Sequence, residues 1–545
     1  MKKIFLIGSF LGMFLNLNAQ QVIQVNKKNN SPNEPSIYIN PANPSQIIAG
    51  SNIDNLYVSA DSGKTWKETK LTSTLGVYGD PVVYADNKGN FYFCHLSKTE
   101  GKQFPNWIDR IIVQKSTDGG NTFNNGVDVG YNGNKAQDKH WIVSDNTNGP
   151  NAGNLYLTWT EFDKYDSKKP TDKSRIMFSR STDGGMSFSR PVIISDKEGD
   201  CLDGDNTTEG AIPAVDADGT VYVAWSLSGK IYFDKSTDGG LTFGEDKEIA
   251  EQVGGWDIPV SQIFRANAMP FIVTDYSSER HKGSIYLIWG DTRNGDTDIF
   301  VKKSMDKGET WTEAKRINDD ALSNGRDQFF CHMAVDPIDG GLYAVFYDRR
   351  NSVNNLFTDV YVAFSTDGGN TWQNRRITNK AFTPSGKMTF FGDYNNIAAY
   401  NGMVRPIWTE TTEDFSEDPM KKLIKGDDLV IKTCLLNKSV LVNYNFQQDD
   451  EPFYLAAFYN NKNKKLYVHY QLNTDKYGDA KLYLESKNKK GKNTKQVKRG
   501  LVGKTDSLIY IGEEIFDLSG AIADNVVVKL KVKGKTVSKK VKIGY

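Results

Sequence analysis

Ser365-Thr366-Asp367-Gly368-Gly369-Asn370-Thr371-Trp372 decides the fold, because the same eight-residue pattern occurs six times in this chain of 545 residues. The other copies are SADSGKTW from Ser59, STDGGNTF from Ser116, STDGGMSF from Ser181, STDGGLTF from Ser236 and SMDKGETW from Ser304. All fit Ser-x-Asp-x-Gly-x-[Thr/Ser]-aromatic, and a recurrence at roughly sixty residues marks one supersecondary unit repeated around or along an axis.

The residue types say what the pattern does. A short Asp side chain bonds backbone N–H groups two residues on and fixes a tight turn, with Ser assisting. Gly supplies the positive φ that such a turn needs. The closing Trp or Phe offers a large apolar surface to a neighbouring unit.

A second repeat is interleaved with the first. It reads Pro35-SIYI-Asn40, Pro81-VVYA-Asp86, His140-WIVS-Asp145, Ala211-IPAV-Asp216, Pro270-FIVT-Asp275, Cys331-HMAV-Asp336 and Asn395-NIAA-Tyr400. Most copies pass through a Gly-containing turn into a second apolar strand, such as Val221 to Trp225 or Ile285 to Trp289. A third strand, the eight-residue turn and a fourth strand complete each unit, and such four-stranded units set radially form a β-propeller.

Seven inner hairpins stand against six turns of the first kind. The seventh unit, Asn395 to Trp408, continues into the stretch at 428–434 as a third strand and lacks a fourth. Val22-Ile-Gln-Val-Asn26 parallels the fourth strands of other units, so the chain start is expected to close the last blade and remove its exposed edge. Seven blades are predicted, with six as the alternative.

The eight-residue turn is the Asp-box, and its recurrence makes residues 21 to about 435 resemble the sialidase-type propellers. That resemblance implies a secreted exo-glycosidase acting on terminal sugars of a glycan or glycoprotein, and it requires no cofactor. In that family the box is a structural staple away from the active site, and catalytic propellers have six blades. A non-catalytic propeller that binds glycan, protein or a divalent cation is the alternative.

The rest of the chain divides simply. Met1 to Ala19 has Lys2 and Lys3, a mostly apolar run and a small residue at its end, as a secretory signal does. The run is too short for a comfortable membrane span. Residues 20–436 form the propeller. Residues 437–545 hold short alternating runs and are expected to form a small Lys-rich β-sandwich. From Lys438 onward there are 21 Lys plus Arg against 11 Asp plus Glu, while the whole chain has 67 of each. Zero net charge gives no reason to expect a nucleic-acid partner, and the sequence leaves the oligomeric state open. Cys94, Cys201, Cys331 and Cys434 have no metal-ligand spacing, and their pairing is left open.

Candidate site residues lie just ahead of the inner strands, where a propeller presents its central channel. They are Glu34, Asp80, Asp138 with Lys139 and His140, Glu209, Arg265, Asp327, and Asp393 with Tyr394. Converging carboxylates repel one another and need a cation or a shared proton. Oxygen ligands point to Ca²⁺ or Mg²⁺, with Glu34, Asp138 and Asp393 as the candidate ligands. Otherwise the acids cap backbone turns.

The family resemblance implies roles for some of them. Tyr394 would be the nucleophile, Glu209 the base paired with it, and Asp80 the acid. Arg265, Arg326, Arg349 and Arg405, with His140 and Asp327, would contact substrate. The family's Phe-Arg-Ile-Pro stretch is absent, and Asn33-Glu34-Pro35 stands at that place. The repeated Asp-x-Arg of Asp291 to Arg293 and Asp348 to Arg350 reads instead as a structural ion pair between blades.

Overall fold

The computed structural model describes residues 21–443, apart from 28–30, 105–106, 278–279, 385–389 and 412–428, and the backbone of seven strands between 453 and 542. The signal-like segment 1–19 lies outside the described residues. Seven four-stranded antiparallel sheets form the blades of a β-propeller, as the hairpin count predicts. Their inner strands are Ser36–Ile39, Val82–Ala85, Ala136–Ser144, Glu209–Val215, Phe271–Thr274, Gln328–Val335 and Asn396–Tyr400. We number the blades 1 to 7 in that order.

Blade 7 is closed by the chain start. Gln21–Gln24 pairs antiparallel with Leu429–Asn437, Val22 opposite Cys434 and Gln24 opposite Lys432. The Val25 N–H donates to the Ile431 carbonyl at 2.8 Å, and Asn26 Oδ1 accepts from the Ile431 N–H at 2.9 Å. Val25 is buried among Ile37, Ile407 and Ile431, so the clasp joins blades 7 and 1 through a shared apolar core.

Each Asp-box follows a third strand whose last residue is the box Ser. In the copy at Ser365, the Ser Oγ donates to Asp367 Oδ1 at 2.8 Å and accepts from the Gly369 N–H at 2.9 Å. Asp367 also accepts from the Thr371 N–H at 2.9 Å and the Thr371 hydroxyl at 2.6 Å. Trp372 Nε1 returns to the Gly369 carbonyl at 3.1 Å. The residue after the box Asp takes a positive φ even as Ser62 or Lys307, at 63° and 60°. These bonds favour the carboxylate form, and the Asp118, Asp183 and Asp238 side chains are pulled down to about 2.

Between blades the core is aromatic and aliphatic, with Trp159, Trp225, Trp289 and Trp408 of the second strands fully buried. Along each inner strand alternate side chains face the axis. The first facing layer contains Trp141, Phe271 and His332, and the next contains Tyr38, Tyr84, Val273 and Ala334. Beyond the propeller come the short helix Lys438–Asn443 and two sheets, one of three strands and one of four. All four cysteines are buried free thiols. No helix among the described residues is long and apolar enough to cross a membrane.

Candidate functional site

The residues two and three places ahead of the first channel-facing position form a ring at one end of the axis. Glu34, Asp80 and Lys139 hold the same place in blades 1, 2 and 3, and all three have positive φ, at 53°, 51° and 49°. Gly210 and Phe330 are left-handed at the same place in blades 4 and 6. The kink is a bulge: the inner-strand register shifts between Asp138 and Trp141, between Glu209 and Ile212, and between Phe329 and His332. A left-handed non-Gly residue costs about 1–3 kcal/mol, a strain that clusters at working sites.

Lys139 stands where the sequence reading looked for a metal ion. Its ammonium lies 2.9 Å from Asp393, 3.8 Å from Asp138 and 3.9 Å from Asp80. Arg265 arrives from the loop ahead of blade 5, its Nε 3.0 Å from Asp393 Oδ1 and its Nη1 2.9 Å from Asp203. Glu34 Oε1 accepts from the Asp393 N–H at 3.1 Å and Oε2 accepts from Asn52, so Glu34 is held by donors. Among the described residues no three His, Cys, Asp or Glu side chains are grouped to hold a metal ion. Lys139 and Arg265 bring positive charge to this cluster.

Six carboxyl groups share these two cations, and the environment splits them. Burial would raise Asp393, but Lys139 and Arg265 beside it pull it down to about 2, so it is ionised. Burial raises Asp138 to about 7, with Asp80 and Asp203 adding to the rise against Lys139. Burial also raises Glu34 and Glu209 well above the ordinary range and raises Asp80. Lys139, which burial alone would discharge, is held protonated by Asp138, Asp393 and Asp80.

The expected Tyr394–Glu209 pair is not made. The Tyr394 hydroxyl is buried without a hydrogen-bond partner, and Glu209 meets the Asp203 carboxyl instead. The carboxylates acting most on Tyr394 are Glu34 and Asp80, whereas Asp203 and Asp138 act on Glu209. The Tyr394 ring packs on Trp141, centroids 5.4 Å apart, at the closed end of the channel.

Other expected site residues lie elsewhere. Arg349 is buried against the Phe329 ring, donating to Thr358 Oγ1 at 3.0 Å and the Asn355 carbonyl at 2.8 Å. Arg405 donates to carbonyls of Ser62, Val404 and Leu436 and so ties blade 7 to the first box. Arg326 is a half-buried loop residue bonded to its neighbour's carbonyl, and Asp327 accepts from the Thr297 N–H at 3.2 Å and from Asn355. His140 is buried between blades, and burial lowers it to about 3, so it is neutral. Arg293 with Asp291 and Arg350 with Asp348 are ion pairs at 2.7 Å within one blade, and each arginine also reaches back toward the preceding blade, Arg293 to the Glu251 carbonyl and Arg350 to Asp319.

Sequence reasoning missed Asp203 and Tyr165. Asp203 comes from the long loop before blade 4, not from a strand entry, and accepts from the Tyr165 hydroxyl at 2.5 Å. The ring reaches solvent along this side, where the side chains of Arg265, Asp80 and Asp203 are 30%, 16% and 10% exposed. Aromatic residues stand around them: Phe390 lies 5.0 Å from the Arg265 guanidinium carbon, and Phe104 packs on Trp107 and Tyr165.

No family model and no curated protein matches the chain. Among solved structures it is similar to the Hadza microbial sialidase Hz136, with 13% identity over 72% of this chain and 74% of that one, at a TM-score of 0.41. The Trypanosoma rangeli sialidase in complex with sialic acid matches with 11% identity over 95% and 89%, at 0.39. YCF48 bound to D1 peptide matches with 12% identity over 78% and 97%, at 0.37. Likeness at this distance carries no inference about chemistry, which has to come from the site itself.

Proposed function

We propose that this chain is a sialidase-like propeller that hydrolyses a terminal sugar of a glycan at the carboxylate ring. One observation carries the reading: the ring sets Asp393, which Lys139 and Arg265 hold ionised, beside carboxyl groups whose protonated form burial favours. Acid and base roles at one pH require such a split. Asp80 is the proton donor, because it is the most exposed carboxyl among those raised, and its side chain meets the Asp138 carboxyl. Tyr394 is the nucleophile, and the ionised Asp393, one of the carboxylates acting on it, is the group that takes its proton. Lys139 and Arg265 orient the ionised Asp393 and hold the ring together.

A second reading has its own support. Arg265 is engaged with both Asp393 and Asp203, and Arg349 and Arg405 are committed elsewhere, so none of these three described arginines is free for an acidic sugar. A propeller that binds glycan without cleaving it fits this arrangement. Fluorogenic substrates separate the two: a 4-methylumbelliferyl α-sialoside and neutral and N-acetylated glycosides, assayed from pH 4 to 8. Turnover of one of them, cut about a hundredfold or more by Asp80→Asn and by Tyr394→Phe in folded protein, is the expected result. No turnover of any of them by folded protein leaves only the binding reading.

A further inference from the structure

The four-stranded sheet beyond the propeller gathers positive charge on one of its two faces. Its strands lie in the order Asn493–Arg499, Ala480–Lys487, Asn525–Val532 and Lys535–Lys542, each antiparallel to its neighbour. Residues paired across antiparallel strands share a face, and successive residues along a strand alternate between faces. The register therefore assigns every residue of the sheet to one face or the other.

One face is apolar at its centre. Leu482 and Leu484 are paired with Leu530 and Val528, and Val537 and Val541 continue this face on the last strand. Such a face is the one a β-sandwich buries. Its three lysines, Lys498, Lys535 and Lys539, all lie on the two edge strands.

The opposite face is basic. One row across it reads Arg499, Lys481, Lys531. Lys487 and Lys529 add to it from the two inner strands, and Lys495, Lys540 and Lys542 add to it from the edges. Among the residues of these four strands, Glu485 is the one acid on that face. Lysines on edge strands keep a sheet from pairing with another chain. Four of these eight cations lie on the inner strands, which already have a neighbour on each side, so edge protection does not account for them. Like charges directly opposite one another destabilise a sheet. Arg499, Lys481 and Lys531 form such a trio at the strand spacing of about 4.8 Å. An anion laid across the row replaces that repulsion with attraction.

Residue types narrow the anion. Seven of the eight cations are Lys, a point charge without the planar fork that Arg offers to phosphate. Tyr483 is the one aromatic residue on the face, too little for a row of stacked bases. Val497 and Val527 are its aliphatic residues, too little apolar area to enter a lipid surface. We propose that this face binds a linear polysaccharide bearing carboxylate or sulfate groups, with Lys481, Lys529 and Lys531 at its centre. It is separate from the carboxylate ring and does not depend on what the propeller cleaves.

Binding of the full-length protein to dextran sulfate and to polygalacturonate, with uncharged dextran as the control, tests this. At least one polyanion should bind, which one naming the charged group, while dextran should not, and added salt should weaken the binding. The triple variant Lys481→Gln, Lys529→Gln, Lys531→Gln should weaken it about tenfold or more, the size of three exposed charge contacts. Lys498→Gln with Lys535→Gln and Lys539→Gln removes the same charge from the other face and should stay within about twofold of the parent. Lys495→Gln with Arg499→Gln should weaken binding about fivefold and covers the case in which the first triple variant fails to fold. No binding of either polyanion, or equal loss in the two triple variants, overturns the face as a site. Tighter binding to phosphatidylglycerol vesicles or to single-stranded DNA than to either polysaccharide overturns the ligand class.

Discussion

Asp138 shows how a single carboxyl is set by its surroundings. It is buried, its Oδ1 accepts from the Lys139 N–H at 2.9 Å, and it faces Lys139, Asp80 and Asp203. Because burial raises it from 3.8 to about 7, the folded protein keeps a proton that the unfolded chain releases across that interval. Its contribution to stability is therefore full below about pH 4 and is lost as pH rises through 7. In Asp138→Asn that loss should vanish, making the variant less pH-sensitive than the parent between pH 4 and 7 by about 2–4 kcal/mol in urea unfolding. A parent and a variant with parallel pH profiles would show that Asp138 ionises freely. The same surroundings explain why the site was only half legible in the sequence. Entry residues could be found by position, since Glu34, Asp80, Lys139 and Tyr394 each stand two places before a channel-facing side chain. Which of them meet depends on bulges and left-handed residues that no local pattern announces, so Tyr394 came out under the charge of Glu34 and Asp80 and without a bond to Glu209. Asp203 is invisible to that reasoning because a long loop, not a strand, delivers it.

At the scale of the element, the blades were legible because each is specified locally. The box fixes its turn within eight residues, and the inner hairpin shows its alternation within ten. The clasp is a long-range contact, yet it too could be read, since a blade lacking a fourth strand leaves an open edge that the chain start can fill. Its weight rests on Val25, which is 1% exposed between Ile37 and Ile431. Val25→Ala should cost about 2 kcal/mol in denaturant unfolding, the usual price of removing two buried methyl groups. Deleting Gln21 to Asn26 should lower the melting temperature far more than Val25→Ala does, because the ladder to Leu429–Asn437 is lost with it. A deletion that melts with the parent would mean that the ring holds without its clasp.

The whole molecule is a ring whose closure joins residues about four hundred positions apart, Val25 to Ile431. Closure at that separation carries a chain-entropy cost that grows slowly with loop length, so what matters is that the clasp strand be present and correctly paired. Its covalent place in the chain is secondary. Gln21 stands opposite Leu435, two residues from the end of the Leu429–Asn437 strand, and the two strands are antiparallel. A short turn after Asn437 could therefore lead straight into residue 21 as a hairpin. A permuted propeller that begins at Asn33, runs to Asn437 and continues through such a turn into residues 21–27 would keep every clasp contact while cutting the chain ahead of blade 1. It should melt as one cooperative transition close to that of a control spanning 21–437 in native order, and well above the same chain without residues 21–27. The cut also frees the segment leading to Glu34, which still has Asn52 and the Asp393 N–H to hold it. If the permuted ring melts no higher than the clasp-less chain, the clasp works by tethering blade 1 through the covalent chain, and edge pairing is not what closes this propeller.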